Sequence, residues 1–178
     1  MFIKVSTEIQ IAIIESLAKE IWTEHYIPII GEEQVDYMLD RFQTRQAISE
    51  QIASGFLYFL IEGDDQFIGY LSVQPQHDAL FLSKLYVRTC ERGKGHGRKA
   101  ILFIEKLARE KGLGRVLLTV NKNNRRAINA YERTGFKNLG SVVQDIGGGF
   151  IMDDYKMEKI VLHRLQSGRA DAGTGRAE

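Results

Sequence analysis

Arg92-Gly93-Lys94-Gly95-His96-Gly97 is the part of the chain densest in chemistry, and Arg98 and Lys99 follow it directly. Its three glycines let the backbone turn sharply and approach a ligand closely. An apolar run with helical spacing comes next, so the loop leads into a helix N-terminus with unpaired N–H groups and the positive end of its dipole. Such a junction binds anions, phosphate above all. Arg92, Lys94, Arg98 and Lys99 add positive charge at its mouth. Two known phosphate loops are excluded. A Walker loop needs Gly-Lys-Ser/Thr, which is absent. A dinucleotide-binding Gly-x-Gly-x-x-Gly needs glycine where Arg98 stands, and an acid after the next strand, which leads instead to Asn121 and Lys122. A basic glycine turn without a ligand has the same composition, and the segment alone does not choose between the two.

A second pattern lies one strand downstream: Asn124-x-x-Ala127-x-x-x-Tyr131-x-x-x-Gly135-Phe136. Together with Arg92, Gly95 and Gly97, and with Leu85-Tyr86-Val87 before them, it resembles the two linked signatures of the GNAT superfamily of N-acetyltransferases. The likeness covers residues 56–160 well and the N-terminal helices by layout. It implies a mixed, mostly antiparallel sheet with splayed central strands and flanking helices, and acetyl-coenzyme A as cosubstrate with no metal. By the same resemblance, the backbone from Arg92 through Gly93, Lys94, Gly95, His96 and Gly97 to Arg98 wraps the pyrophosphate, with the His96 side chain in solvent. Leu85, Tyr86 and Val87 hydrogen-bond the pantetheine and the thioester carbonyl, and the Val87 N–H stabilises the oxyanion of the tetrahedral intermediate. Asn121 and Asn124 bond the pantetheine arm beside Ala127, and Arg133 approaches the adenosine end. Tyr131 is the general acid that protonates the leaving thiolate, since a phenol stays protonated near neutral pH yet can donate to a developing anion.

The base is less legible. Many relatives carry a glutamate on the fourth strand, where Leu82-Ser83-Lys84-Leu85 offers Ser83 instead. A water chain ending on Glu24, His25, His77 or Asp145 is the expected substitute. The acceptor site that the resemblance implies lies between the first helices and the late strands, at Trp22, Tyr26, Tyr37, Phe42, Tyr58 and Tyr155, with Asp145 nearby. Glu32, Glu33, Asp36, Asp153 and Asp154 are the acids of that region. Acids and aromatics together suit a cationic amine, so a polyamine or similar small amine is the expected acceptor. A peptide N-terminus or lysine side chain is the alternative. A silent acyl-coenzyme A sensor is the competing class, favoured by the missing carboxylate and disfavoured by Tyr131. Cys90 is expected to be inert.

Periodicity supplies the elements that must position these groups. A short strand at residues 2–5 precedes a helix at 8–21, capped by Ser6 or Thr7. Pro28 and Gly31 punctuate the chain before helices at 32–42 and 45–54. Strands follow at 56–61 and 66–73 around a Gly63-Asp64-Asp65 hairpin, and at 80–87 after a turn containing Pro75 and Asp78. The remainder reads helix 97–111, strand 115–120, helix 124–134, and strands 139–146 and 150–161 joined by three glycines. This order defines an α/β fold.

With 178 residues, 24 basic and 23 acidic side chains and 44% apolar residues, the chain suits one globular domain over residues 1–162. Residues 163–178 are expected to be a disordered tail. A net charge of +1 gives no general pull toward nucleic acid or an anionic membrane. One cysteine and four scattered histidines offer neither a disulfide nor a metal cluster. No leader or spanning segment is expected, which points to the cytoplasm, and the last strand pair is the candidate interface of a homodimer.

Overall fold

The computed structural model describes residues 1–161; the expected tail lies outside them. Strand β1 (Phe2–Lys4) is followed by helices α1 (Glu8–His25), α2 (Ile27–Ile30), α3 (Glu32–Phe42) and α4 (Arg45–Ala53). A meander of β2 (Leu57–Gly63), β3 (Gln66–Gln76) and β4 (Ala79–Val87) leads through a single 3₁₀ turn at Thr89–Glu91 into α5 (His96–Glu110). Then come β5 (Arg115–Asn121), α6 (Arg125–Arg133), β6 (Lys137–Gly147) and β7 (Phe150–Ile160).

The start of α1 is set by a reciprocal cap. Gln10 N donates to Thr7 Oγ1, and the Gln10 side chain accepts from the Ser6 and Thr7 N–H groups at 2.8 and 3.2 Å. The buried face of α1 runs through Ile11, Ile14, Leu17, Ala18, Ile21 and Trp22, while Ile9 is 76% exposed. The stripe read from the sequence, Ile9, Ala12, Ile13, Leu17, Ala18 and Ile21, is corrected in its first half: Ala12 and Ile13 are only half-buried, and packing against the sheet buries Ile11, Ile14 and Trp22 instead. Pro28, expected to interrupt the chain, instead opens the short α2, where its fixed φ suits a first helical turn. Pro75 belongs to β3 and not to the turn. The β2 partner ends at Leu57↔Val73, so Pro75 has no neighbour on that side to which an N–H would be owed.

The seven strands lie in the order β1-β2-β3-β4-β5-β7-β6. Every pairing is antiparallel except β4 with β5, whose crossover is α5. That parallel pairing covers only Ala79↔Arg115 to Leu82↔Leu118. Both strands continue, to Val87 and Asn121, without pairing each other, so the sheet opens into a V at its centre. A bulge begins the separation: Val73 faces Leu82 and Ser72 faces Lys84, which leaves Ser83 as the extra residue of β4. One core fills the face covered by α5 and α6, with Leu80, Ile104, Ala108 and Leu118 at its centre. The other lies under α1, α3 and α4, around Ile14, Ile21, Leu60 and Tyr70. No helix among the described residues is long and apolar enough to cross a membrane.

Candidate active site

The V between β4 and β5 is the mouth of a cleft of about 890 Å³, within the usual range for ligand sites of ~300–1,000 Å³. Its walls follow from strand alternation. Arg88 N donates to Ile68 O at 2.8 Å across the β3–β4 ladder. Antiparallel alternation then turns the N–H groups of Val87 and Leu85 the other way, into the gap that β5 has left. In a closed sheet these donors would be consumed by a neighbouring strand.

On one side of the gap the glycine loop closes onto α5. Gly93 and Gly95 take φ of 84° and 85°, and Gly95 caps α5 in the left-handed region with no side-chain hydrogen bond. The first-turn N–H groups of α5 therefore stay available. A Cβ placed on Gly93, Gly95 or Gly97 would meet no atom within 4 Å, and all three line the cleft. This hollow, uncapped helix start fits a pyrophosphate. The nearby cations are disposed differently from the simple expectation. Arg92 turns back, donating from Nε to Val87 O at 3.0 Å, with Nη1 2.9 Å from His25 Nδ1. Lys94 Nζ bonds Glu91 at 2.9 Å, and Lys94 is not among the residues lining the cleft. His96 packs 3.5 Å from Glu91, with only 17% of its side chain exposed, so it is not the solvated side chain expected from the sequence. Arg98 and Arg133 line the cleft.

The spacing of the second motif is a helix read from cap to cap. Asn124 Oδ1 accepts from Ala127 N at 3.2 Å and starts α6. Gly135, with φ 94°, stops it, and the buried Phe136 anchors the exit, its ring 5.4 Å from that of Tyr131 and edge-on. Ala127 and Tyr131 are thereby held toward the cleft. The side-chain oxygen of Asn121 accepts from Asn123 N at 2.9 Å, which leaves its amide Nδ2 as a donor, while the Nδ2 of Asn124 lies 3.5 Å from His25 Nε2. Burial pushes the Tyr131 phenol well above its ordinary pKa, so it remains a proton donor at any working pH.

The opposite wall is aromatic. Trp22 and Tyr26 of α1 pack 4.7 Å apart, and Tyr26 lies edge-on to Tyr86 of β4 at 5.9 Å. Burial raises Tyr26 to about 12. The water-chain bases divide. His25 lines the cleft, but burial, then Arg92 and Arg126, lower it to about 4, so it stays neutral and accepts from Arg92. Glu24 is exposed and does not line the cleft. His77 sits in the β3–β4 turn with its side chain 98% exposed. Asp145 accepts from Gly147 N at 2.7 Å within the β6–β7 turn.

Five residues expected at the acceptor, Tyr37, Phe42, Tyr58, Tyr155 and Asp145, lie outside the lining. Tyr37 donates to Ile146 O at 2.7 Å and lies against Gly147 and Gly148, clamping the β6–β7 hairpin. Tyr58 is buried against Lys84, Tyr155 carries Lys122 over its ring at 5.6 Å, and Asp145 serves its own turn. A long polar or aromatic side chain reads the same in sequence whether it serves a turn or a site.

Two cleft residues were not singled out by the sequence. Asp154 appeared only as one of five acids expected to suit a cationic amine. Lys84 follows the Ser83 bulge, and its alternation with Tyr86 was the available signal. Its Nζ donates to Gln51 Oε1 and, at 2.6 Å, to Tyr58 Oη. Burial lowers its pKa from 10.5 to about 7. Between those values the unfolded chain binds the extra proton, so the stability of the native chain rises with pH across that window. Relative to Lys84→Met, wild type should gain stability from pH 7 to pH 10.5, by up to roughly 4 kcal/mol in order of magnitude. Urea denaturation of both proteins at several pH values reads this directly, and parallel curves would mean that Lys84 is not desolvated.

An opened parallel pair at the centre of a mixed sheet, with an uncapped glycine-loop helix on one side and an aromatic wall on the other, defines an acyl-coenzyme A-dependent transferase site. The acetyltransferase (GNAT) family model matches residues 14–136. The chain belongs to that family and is an acetyl-coenzyme A-dependent N-acetyltransferase. It is similar to the spermidine N(1)-acetyltransferase of Thermoplasma acidophilum, 26% identical over 148 residues, which is 80% of this chain and 86% of the relative. Among solved structures, the PaiA N-acetyltransferase of Thermoplasma acidophilum in complex with coenzyme A superposes with a TM-score of 0.75 at 23% identity, covering 90% of this chain and 98% of that one. The ribosomal-protein-S18-alanine N-acetyltransferase of Escherichia coli shares the fold at a TM-score of 0.69 and 14% identity, over 94% and 97% of the two chains.

Proposed function

We propose that the chain acetylates the primary amine of a small cationic acceptor of the polyamine class, in a single complex holding acetyl-coenzyme A and acceptor together. The observation that carries this reading is the open V. It gives the cosubstrate and the acceptor separate walls that meet at the end of β4. The first-turn N–H groups of α5 hold the pyrophosphate, and Arg98 and Arg133 add charge along the way to the adenosine. Asn121 and Asn124 donate to the pantetheine arm. The Val87 N–H, with no strand to pair with on the gap side, donates to the thioester oxygen as it becomes an oxyanion. Tyr131 gives its proton to the departing sulfur. A thiolate leaving in the same dry cleft is disfavoured by the burial that holds the phenol protonated, so the two remain matched.

The similarity to the spermidine enzyme supports the acceptor class, and so does the aromatic wall of Trp22, Tyr26 and Tyr86, whose faces suit a cation. Lys84, brought down to about 7, carries only part of its charge at neutral pH and opposes a cation weakly. Thiol release from acetyl-coenzyme A tests the reading. Spermidine and putrescine should be consumed with kcat/KM at least about 100-fold above a lysine-containing peptide. Preferred turnover of the peptide would move the chain to protein acetylation, and no turnover with any amine would favour a silent sensor.

A further inference from the structure

Three carboxylates line the cleft: Glu91, Glu105 and Asp154. Two are occupied. Glu91 holds Lys94 at 2.9 Å and His96 at 3.5 Å, while Glu105 pairs with Lys159. Asp154 has no cation within ion-pair distance among the described residues, because the neighbouring Lys122 is spent on Asp153. It is only 3% exposed, and its Oδ1 is sealed from solvent with no hydrogen-bond partner among the described residues. An ionised carboxylate left so incomplete is costly unless something else supplies the charge and the donors. Its place is equally specific. Asp154 stands on β7 directly opposite Asn121, at the end of β5 where β4 has already parted, and alternation puts it on the same face as Met152, another lining residue.

Resting on the reading that this cleft takes acetyl-coenzyme A and an amine, we propose that Asp154 seats the acceptor's ammonium and accepts the first proton it sheds. A primary ammonium supplies what the site lacks: one positive charge and up to three N–H donors. Transfer of its proton to Asp154 leaves a free amine and a neutral carboxylic acid. The amine nitrogen then attacks the thioester carbon. The C–N bond forms, the C–S bond breaks, and the sulfur takes the proton of Tyr131. The nitrogen loses two protons in all: the first leaves through Asp154 to water, and the second restores Tyr131. The products are the amide, free thiol and one released proton. Burial also holds the Asp154 carboxyl above its usual range, with the Thr119 hydroxyl drawing it partly back, which makes it a stronger base than an exposed aspartate. It supplies the carboxylate that β4 lacks at Ser83, from the opposite lip of the V.

The test compares wild type with Asp154→Asn, which has the same shape but neither charge nor basicity. Acetyl-coenzyme A affinity is measured by calorimetry and thermal midpoint by scanning. Amine turnover is measured with spermidine, butylamine and a lysine-containing peptide. Whichever amine wild type uses best should lose about 100- to 1,000-fold in kcat/KM in the variant. Acetyl-coenzyme A affinity should stay within about twofold, and the midpoint should be equal or higher because an uncompensated buried charge has been removed. Wild-type turnover in Asp154→Asn overturns the proposal. So does a loss that comes with a lowered midpoint and weakened acetyl-coenzyme A binding, since that marks a structural role. If wild type acetylates none of the amines, the functional reading fails first, and this inference fails with it.

Discussion

Gly97→Glu should abolish acetyl-coenzyme A binding while leaving the fold in place. Position 97 lies in the first turn of α5 and lines the cleft, and an added Cβ there meets no atom within 4 Å. The new side chain therefore costs little in the empty protein. It would place a carboxylate beside the N–H groups that are to receive the pyrophosphate, where it satisfies those donors itself and repels the ligand. The affinity should fall by about 100-fold or more, which is ~2.7 kcal/mol or more, with a thermal midpoint near that of wild type. Gly97→Ala, which adds bulk without charge, should fall in between. Position 97 is a sharper probe than 95. Gly95 holds φ 85°, where any side chain strains the backbone by roughly 1–2 kcal/mol, so a loss of binding in Gly95→Glu would mix misfolding with blockage. Wild-type affinity in Gly97→Glu would remove the α5 N-terminus from the cosubstrate site.

Tyr131→Phe should lower kcat by about 100- to 1,000-fold, the span expected for removing a positioned general acid. Acetyl-coenzyme A affinity and stability should be unchanged. The Tyr131 ring is held by Phe136 at 5.4 Å. Phenylalanine keeps that packing. The pH profile sharpens the test. With the phenol raised above its ordinary 10.0, kcat in wild type should show no alkaline decline from Tyr131 ionising below about that pH. A variant that keeps kcat within about threefold would transfer the proton-donor role to water or to another group.

Local physics accounts for what could be read from the chain. The loop from Arg92 to Gly97 was legible because glycines at those positions are needed for φ near 85° and for an open hollow, requirements of the backbone itself. The motif from Asn124 to Phe136 was legible because it is a helix with its cap, stop and anchor written in order. The α/β arrangement followed from the change between helical and strand periods, while the one parallel pair, β4 with β5, was seen only in the structure. Residues that serve turns were misread as acceptor residues. Tyr37 and Asp145 carry the side chains a site would use, but spend them on the β6–β7 hairpin.

The sequence by itself determined the glycine loop and the helix start behind it, because an anion cradle of this kind is built within a few consecutive residues; acetyl-coenzyme A as its ligand came from the family resemblance. Only the tertiary structure decided the acceptor half. Asp154 becomes distinctive when β5 and β6 flank it on β7 and leave Oδ1 without a partner among the described residues. Lys84 becomes an only partly charged amine at neutral pH when Gln51 and Tyr58, brought from α4 and β2, enclose it. Burial, and the missing partner that gives burial its chemical meaning, are sums over elements distant in sequence, and no local pattern records them.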